Sequence, residues 1–284
     1  MPIPLPQYLD REFDYHSTYV TSASELIEWC TTLPSLDRFG WHVEDGPDNS
    51  KIIRKKNPDG SLGFGGHLSH TTVTLGGFSV HIVALAPTPT PTYTHFAHAD
   101  NTSVYGTLRF NQGPVGHGFP ATIHCVVSDM HFMVFHTINQ NINNTNGDDY
   151  GWIGFIQIDP FPYEFDEVPH YFVTPARVIP ISAAFGAPAS IFNRWNINSG
   201  GALVSRGFGF STVTTAVHLV SSLMPDGLFV TNPLYIRTNN LSLGPLPNCL
   251  AASDGVSVSI SLTQDNQEII FLYVPRSNML VRIE

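Results

Sequence analysis

Residues 95–100 read His95-Phe-Ala-His98-Ala-Asp100, three ligand-type side chains in six positions. Imidazole and carboxylate are the ligands that zinc-like cations take. His95, His98 and Asp100 are therefore the metal candidates of this chain. Their spacing works against them. A helix would bring positions i and i+3 together, but Pro91 upstream and Asp100-Asn-Thr-Ser103 downstream oppose a helix. On a strand, i and i+3 point to opposite faces. His67 and His70 meet the same objection, and so do His131 and His136, five apart. Thirteen histidines fit better as small polar aromatics at wet contacts, so we expect no metal and no cofactor.

Carboxylates gather at Glu164, Asp166 and Glu167, preceded by Asp148, Asp149 and Asp159. On a strand Glu164 and Asp166 share a face, as a glycosidase pair or a Ca²⁺ site would need. Pro160, Pro162 and Pro169 instead make this a loop, and a solvated acidic loop is the plainer reading. The nucleophile elbow, the Walker loop, the H-E-x-x-H zinc helix and the dinucleotide fingerprint are all missing from the sequence. Gly63–Gly66 and Gly207–Gly209 lack the strand-to-helix setting that phosphate loops use. We assign no catalytic residue and expect no enzyme. A hydrolase using Asp166 or the His95 region is the alternative. Trp152 and Trp195, beside the Asn-rich run 139–149, could form a stacking platform for a cell-surface glycan. Core packing competes with that role.

The elements that must hold these residues come from an unusual composition. Only 13% of the 284 residues are charged and 42% are apolar; soluble domains average about 25% charge. No apolar run can span a bilayer, since Val178–Phe192 is short and broken by Pro180, Gly186 and Pro188. We therefore expect other protein to cover much of the surface. The net charge is −10. One basic cluster, Lys51, Arg54, Lys55 and Lys56, is no nucleic-acid face and reads as a guarded strand edge. Cys30, Cys125 and Cys249 form no CxxC and suggest three buried thiols. The start, MPIPLPQYLDREF, has no apolar signal core, so we expect synthesis in a cytoplasm without secretion. The glycosylation triplets at Asn101, Asn143 and Asn240 are then chance.

Ser22 and Glu25 form a capping box. Leu26, Ile27, Cys30 and Leu33 follow at helical spacing, which predicts one helix over about 23–32, stopped by Pro34. Period-two segments follow at 39–44, 51–56, 71–75 and 78–85, with turns at Asn57-Pro-Asp-Gly60 and Gly76-Gly77. Further strands are predicted at 105–110, 121–128, 131–137, 151–158, 177–181, 202–206, 213–219, 228–230, 234–238, 256–262, 268–274 and 280–283. With 23 Gly and 22 Pro, this punctuation predicts a mainly β fold, an antiparallel sandwich or barrel. We expect a small N-terminal α+β domain with one helix (1–86), a Pro-rich linker or arm (87–92) and an all-β domain (93–284). The N-terminal tail 1–20 is a second candidate arm.

Cys125–Thr137 (CVVSDMHFMVFHT), a polar loop, and Gly151–Pro160 (GWIGFIQIDP) together resemble virion structural proteins of tailed bacteriophages, of the tail and baseplate type. The resemblance covers roughly 35 residues. It implies a non-enzymatic subunit that assembles symmetrically with itself and with other virion proteins, located in the virion. A receptor- or glycan-binding module on the virion is the alternative. No functional residue carries over.

Overall fold

The computed structural model describes residues 9–72, 78–85, 106–110, 121–137, 151–157, 171–174, 177–180, 195–197, 203–205, 208–212, 233–238, 242–251, 259–264, 267–274 and 279–284. The first elements are β1 (Asp14–Val20), α1 (Ala23–Thr31), α2 (Ser35–Arg38), β2 (Trp41–Asp45), β3 (Lys51–Lys56), β4 (Leu62–Thr72), β5 (Phe78–Leu85) and β6 (Gly106–Phe110). Next come β7 (Ala121–Val127), β8 (His131–Phe135), β9 (Trp152–Gln157), β10 (Tyr171–Thr174), β11 (Arg177–Pro180), β12 (Trp195–Ile197) and β13 (Leu203–Ser205). The last are β14 (Phe208–Thr212), β15 (Pro233–Thr238), β16 (Ser242–Ala251), β17 (Ser259–Gln264), β18 (Gln267–Val274) and β19 (Met279–Arg282).

The fold is mainly β, and the strand pairs are antiparallel. The N-terminal sheet has the order β2-β3-β4-β5-β6, the central sheet β1-β7-β8-β9-β10-β11 and the C-terminal sheet β14-β15-β16-β19-β18-β17. A small β12-β13 ribbon forms a sheet of its own. Each large sheet ends in two edge strands, so among the described residues none closes into the barrel that the sequence left open. Strands on either side of residues 87–92 share sheets: β1 pairs with β7, and β5 with β6. The segment 87–92 itself lies outside the described residues.

The helix forms where the capping box puts it. Ser22 Oγ accepts the Glu25 N–H at 3.2 Å, while Glu25 reaches back to the N–H and hydroxyl of Thr21. Leu26, Ile27 and Cys30 turn inward. Pro34 ends this helix but opens a second one, α2, which the sequence reading omitted. A proline that cannot continue a helix can still start one, because its missing N–H is unpaired there anyway.

Two further corrections concern the edges of strands. Residues 14–20 are not an arm: β1 pairs along its whole length with β7, Asp14 opposite Val127 and Val20 opposite Ala121. The hairpin of β4 and β5 pairs Thr72 with Phe78, whereas a two-residue turn at Gly76-Gly77 would pair Leu75 with Phe78. β4 also starts earlier than expected and runs through Gly63, Gly65 and Gly66. Glycine weakens a strand in isolation, but here closeness demands it. A Cβ on Gly65 would strike the Ile53 carbonyl, and one on Gly66 would strike the Phe155 ring.

That Gly66–Phe155 contact is where the N-terminal and central sheets meet face to face. Their shared core takes Ile53, Leu68 and Ile82 from one sheet, Phe132 and Phe155 from the other, and Leu26 from α1. The opposite face of the central sheet is buried as well: Val126, Met133 and Phe135 are 0% exposed. On that side β16 of the C-terminal sheet runs against β9. Its own core, Leu250, Ile269, Phe271 and Leu280, also encloses Leu9 from the chain's start.

Gly154 holds the centre of this stack. It sits at φ +127° opposite Met133, and a Cβ there would collide with the Phe132 carbonyl. Gly154→Ala combines disallowed backbone with overpacking. It should destabilise the fold by about 2–4 kcal/mol and lower Tm by roughly 5–10 °C, read by differential scanning calorimetry.

Candidate functional site

The sequence candidates do not converge. His95, His98, Asp100, Glu164 and Asp166 lie outside the described residues. Trp195 pairs through its backbone with Ser205 in β12. Trp152 begins β9 opposite Phe135 and is 3% exposed, so its indole packs in the core and offers a sugar no open face. His67 and His70 divide as strand parity requires: His67 Nε2 meets Ser50 Oγ at 2.6 Å, and His70 Nε2 meets Ser24 Oγ at 3.1 Å. Among the described residues, no three His, Cys, Asp or Glu side chains could together hold a metal.

The basic cluster on β3 is tied up within the fold. Lys51 pairs with Asp45 at 2.8 Å and Glu28 at 3.2 Å, which raise its pKa. Arg54 is buried, with its Nη1 on the Gly63 carbonyl and Glu44 near its Nε. Lys55 donates to the Phe39 carbonyl at 2.5 Å and lies 5.1 Å over the Trp41 ring. Burial lowers its pKa. Lys56 pairs with Asp37 at 2.9 Å and depresses that carboxyl. These cations fasten α1, α2 and β2 to β3.

Beside Lys51 a cleft of about 600 Å³ separates α1 from the β2–β3 turn, lined by Ser24, Glu25, Glu28, Asp45, Asn49 and Ser50 among others. A hydrolytic serine would need its hydroxyl proton taken by a base. Ser50 Oγ already donates to the Pro47 carbonyl at 2.5 Å. It must therefore accept from His67, which makes His67 a donor and not a base. The carboxylates of the cleft are engaged too, Glu25 as the helix cap and Glu28 and Asp45 on Lys51.

The most connected polar group is His131, which its sequence context assigned to a wet contact. His131 is 0% exposed and opens β8. Its Nε2 lies 2.7 Å from the Pro247 carbonyl of β16. A carbonyl only accepts, so Nε2 carries the proton. Nδ1 is then bare and accepts from Ser128 Oγ at 2.8 Å. The same hydroxyl oxygen accepts the N–H groups of Met130 and His131 at 3.0 and 2.9 Å. The Trp41 indole donates to the Ser128 carbonyl at 2.7 Å. One tight turn thus touches all three large sheets. Burial pushes His131 down to about 4, against opposing pulls from the Pro247 carbonyl and Asp129.

His124 follows the same logic nearer the edge. Stacked between Tyr15 and Phe135 at centroid distances of 5.9 and 5.1 Å, it bonds Tyr15 Oη through Nδ1 at 2.7 Å. Burial lowers it to about 4 and raises the Tyr15 phenol. Cys30, Cys125 and Cys249 are free and buried, with pKa values raised by desolvation. A thiol held protonated is a poor nucleophile.

No family model, curated protein or solved structure matches this chain. The site is therefore defined by its own geometry, a Ser128–His131 pair that joins layers, both residues 0% exposed. Ser128→Ala would strand two N–H groups and the bare Nδ1. It should cost about 1–3 kcal/mol, seen as a lower urea midpoint with an unchanged m-value.

Proposed function

We propose that this chain is a structural subunit of a viral particle, a phage tail, baseplate or neck component. It acts by symmetric self-assembly and by contacts with other virion proteins. The observation that carries this reading is where the charge lies. Of 36 charged residues (13 basic plus 23 acidic), 16 fall within residues 1–60, leaving 20 for the other 224. All three lysines stand at 51, 55 and 56, and the ion pairs of this region bind its own elements together. The rest of the chain carries ions at about a third of the usual density. Lysine and glutamate are the residues that interface cores shed.

We assign such contacts to two stretches whose sequence is poor in ions. Residues 86–120 hold two charged residues, Asp100 and Arg109, and residues 175–232 hold four. Among the described residues only Tyr19 is a large apolar side chain left exposed, so the described sheets serve as a scaffold. Neighbouring copies joined permanently would bury more than about 1,000 Å² per contact. The resemblance of Cys125–Thr137 and Gly151–Pro160 to tail and baseplate proteins points the same way.

Light scattering on the purified chain should give a mass at a whole multiple, two or more, of 31.2 kDa. The oligomer should persist in about 1 M salt, because apolar contacts are not screened as ion pairs are. A stable monomer at high concentration would overturn the proposal.

A further inference from the structure

Beside the packing of β16 on β9, the central and C-terminal sheets are bonded through one neutral imidazole. The proton inventory at His131 leaves no room for a second proton. Ser128 Oγ already accepts two backbone N–H groups and spends its own proton on Nδ1. A protonated Nδ1 would face that hydroxyl as donor against donor, inside a fully buried site. The charged groups acting on the node are Asp129, on the same turn, and Lys55, coupled to Asp129 from β3. Neither is hydrogen-bonded to the ring in place of Pro247 or Ser128.

The acceptor is equally specific. β16 carries Pro245 and Pro247, and its pairing with β15 shifts register between Pro233 and Tyr235, the stretch facing Pro245 to Leu250. It joins β19 only from Cys249 onward. The Pro247 carbonyl is thus turned to the neighbouring sheet. Asn248, at φ +52°, follows it and bonds the Arg11 carbonyl through Nδ2 at 3.0 Å.

We propose that this contact is an acid-released latch: protonation of His131 undocks the C-terminal sheet from the central sheet, while the sandwich of the central and N-terminal sheets stays closed. The face of the central sheet that carries Met133 and Phe135 then meets water. This goes beyond the assembly role and does not depend on it.

The sign follows from linkage. His131 is held low in the docked state and returns toward 6.5 when released, so the docked form is fully favoured above about pH 6.5 and loses ground as pH falls toward 4. Between pH 7.5 and 5.0 the undocking equilibrium should rise about 30-fold from this one group.

Hydrogen exchange with mass spectrometry, corrected for intrinsic rates, reads that equilibrium in the amides of Leu246 and of residues 248–251, Pro247 having none. The expected result is a rise near 30-fold there, with β3 and β7 still protected, and a several-fold smaller rise in His131→Gln. Unchanged protection at 246–251, loss in step with β3 and β7, or an equal rise in His131→Gln would overturn the latch. If His131→Gln does not fold, exchange at the His131 ring C2–H of the wild-type chain decides. A midpoint below about 5 supports the latch, and one near 6.5 removes it. Assembly is read by mass at neutral pH, so the two proposals fail separately.

Discussion

Both faces of the central sheet are covered along β7, β8 and β9, and the rest of the structure follows from that constraint. Antiparallel sheets commonly leave one face to water and alternate accordingly. Here Cys125-Val-Val127, His131–Phe135 and Trp152–Ile156 run almost without a polar break, and these residues are buried on both sides. A layer that sees no water cannot carry an unpaired polar group cheaply. Its backbone groups are satisfied by the ladder, and its few polar side chains by partners in the same sheet or in neighbouring layers. His131 takes Pro247 and Ser128, His124 takes Tyr15, and the Ser128 carbonyl takes Trp41. The middle layer is therefore bound to its neighbours by directed bonds as well as by packing.

Charge is used in a complementary way at the outside of the stack. Arg38 bonds Glu12 and Asp14, Lys51 holds Glu28 and Asp45, and Lys56 holds Asp37. Exposed pairs of this kind contribute little each. Their common feature is that they cross elements, tying α1, α2 and the chain's start to β1, β2 and β3. A chain with few ions has placed them where short helices need anchoring. Arg282 plays the same part at the other end, reaching the Leu9 carbonyl and lying 5.6 Å from the Phe13 ring.

Local pattern made part of this legible. Ser22 to Cys30 announces its helix by cap and period, Lys51–Lys56 is a strand with the expected bounds, and Glu268–Val274 reads as apolar between turns. The strands predicted at 131–137 and 151–158 are seen as β8 and β9, which pair with each other. What escaped was decided by distant residues. Asp14–Val20 looks polar, and becomes a strand because β7 offers it a full edge. Ser242–Ala251 contains two prolines that argue against a strand, yet a register shift accommodates them and one of their carbonyls finds His131. The glycines of β4 look like a loop until the Ile53 carbonyl closes on Gly65 and Phe155 on Gly66. The Ser128–His131 node was invisible for the same reason, since its decisive partner lies 116 positions away.

The pairing of β1 with β7 joins residues more than a hundred positions apart, and the face of α1 packs in one core with Ile123, Phe132 and Phe155. During synthesis the helix leaves the ribosome well before any of these partners exist. At about 5–20 residues per second, Leu26 and Ile27 wait on the order of 10 s for Phe155 to emerge. This helix is thus among the elements most in need of shelter while the rest is translated.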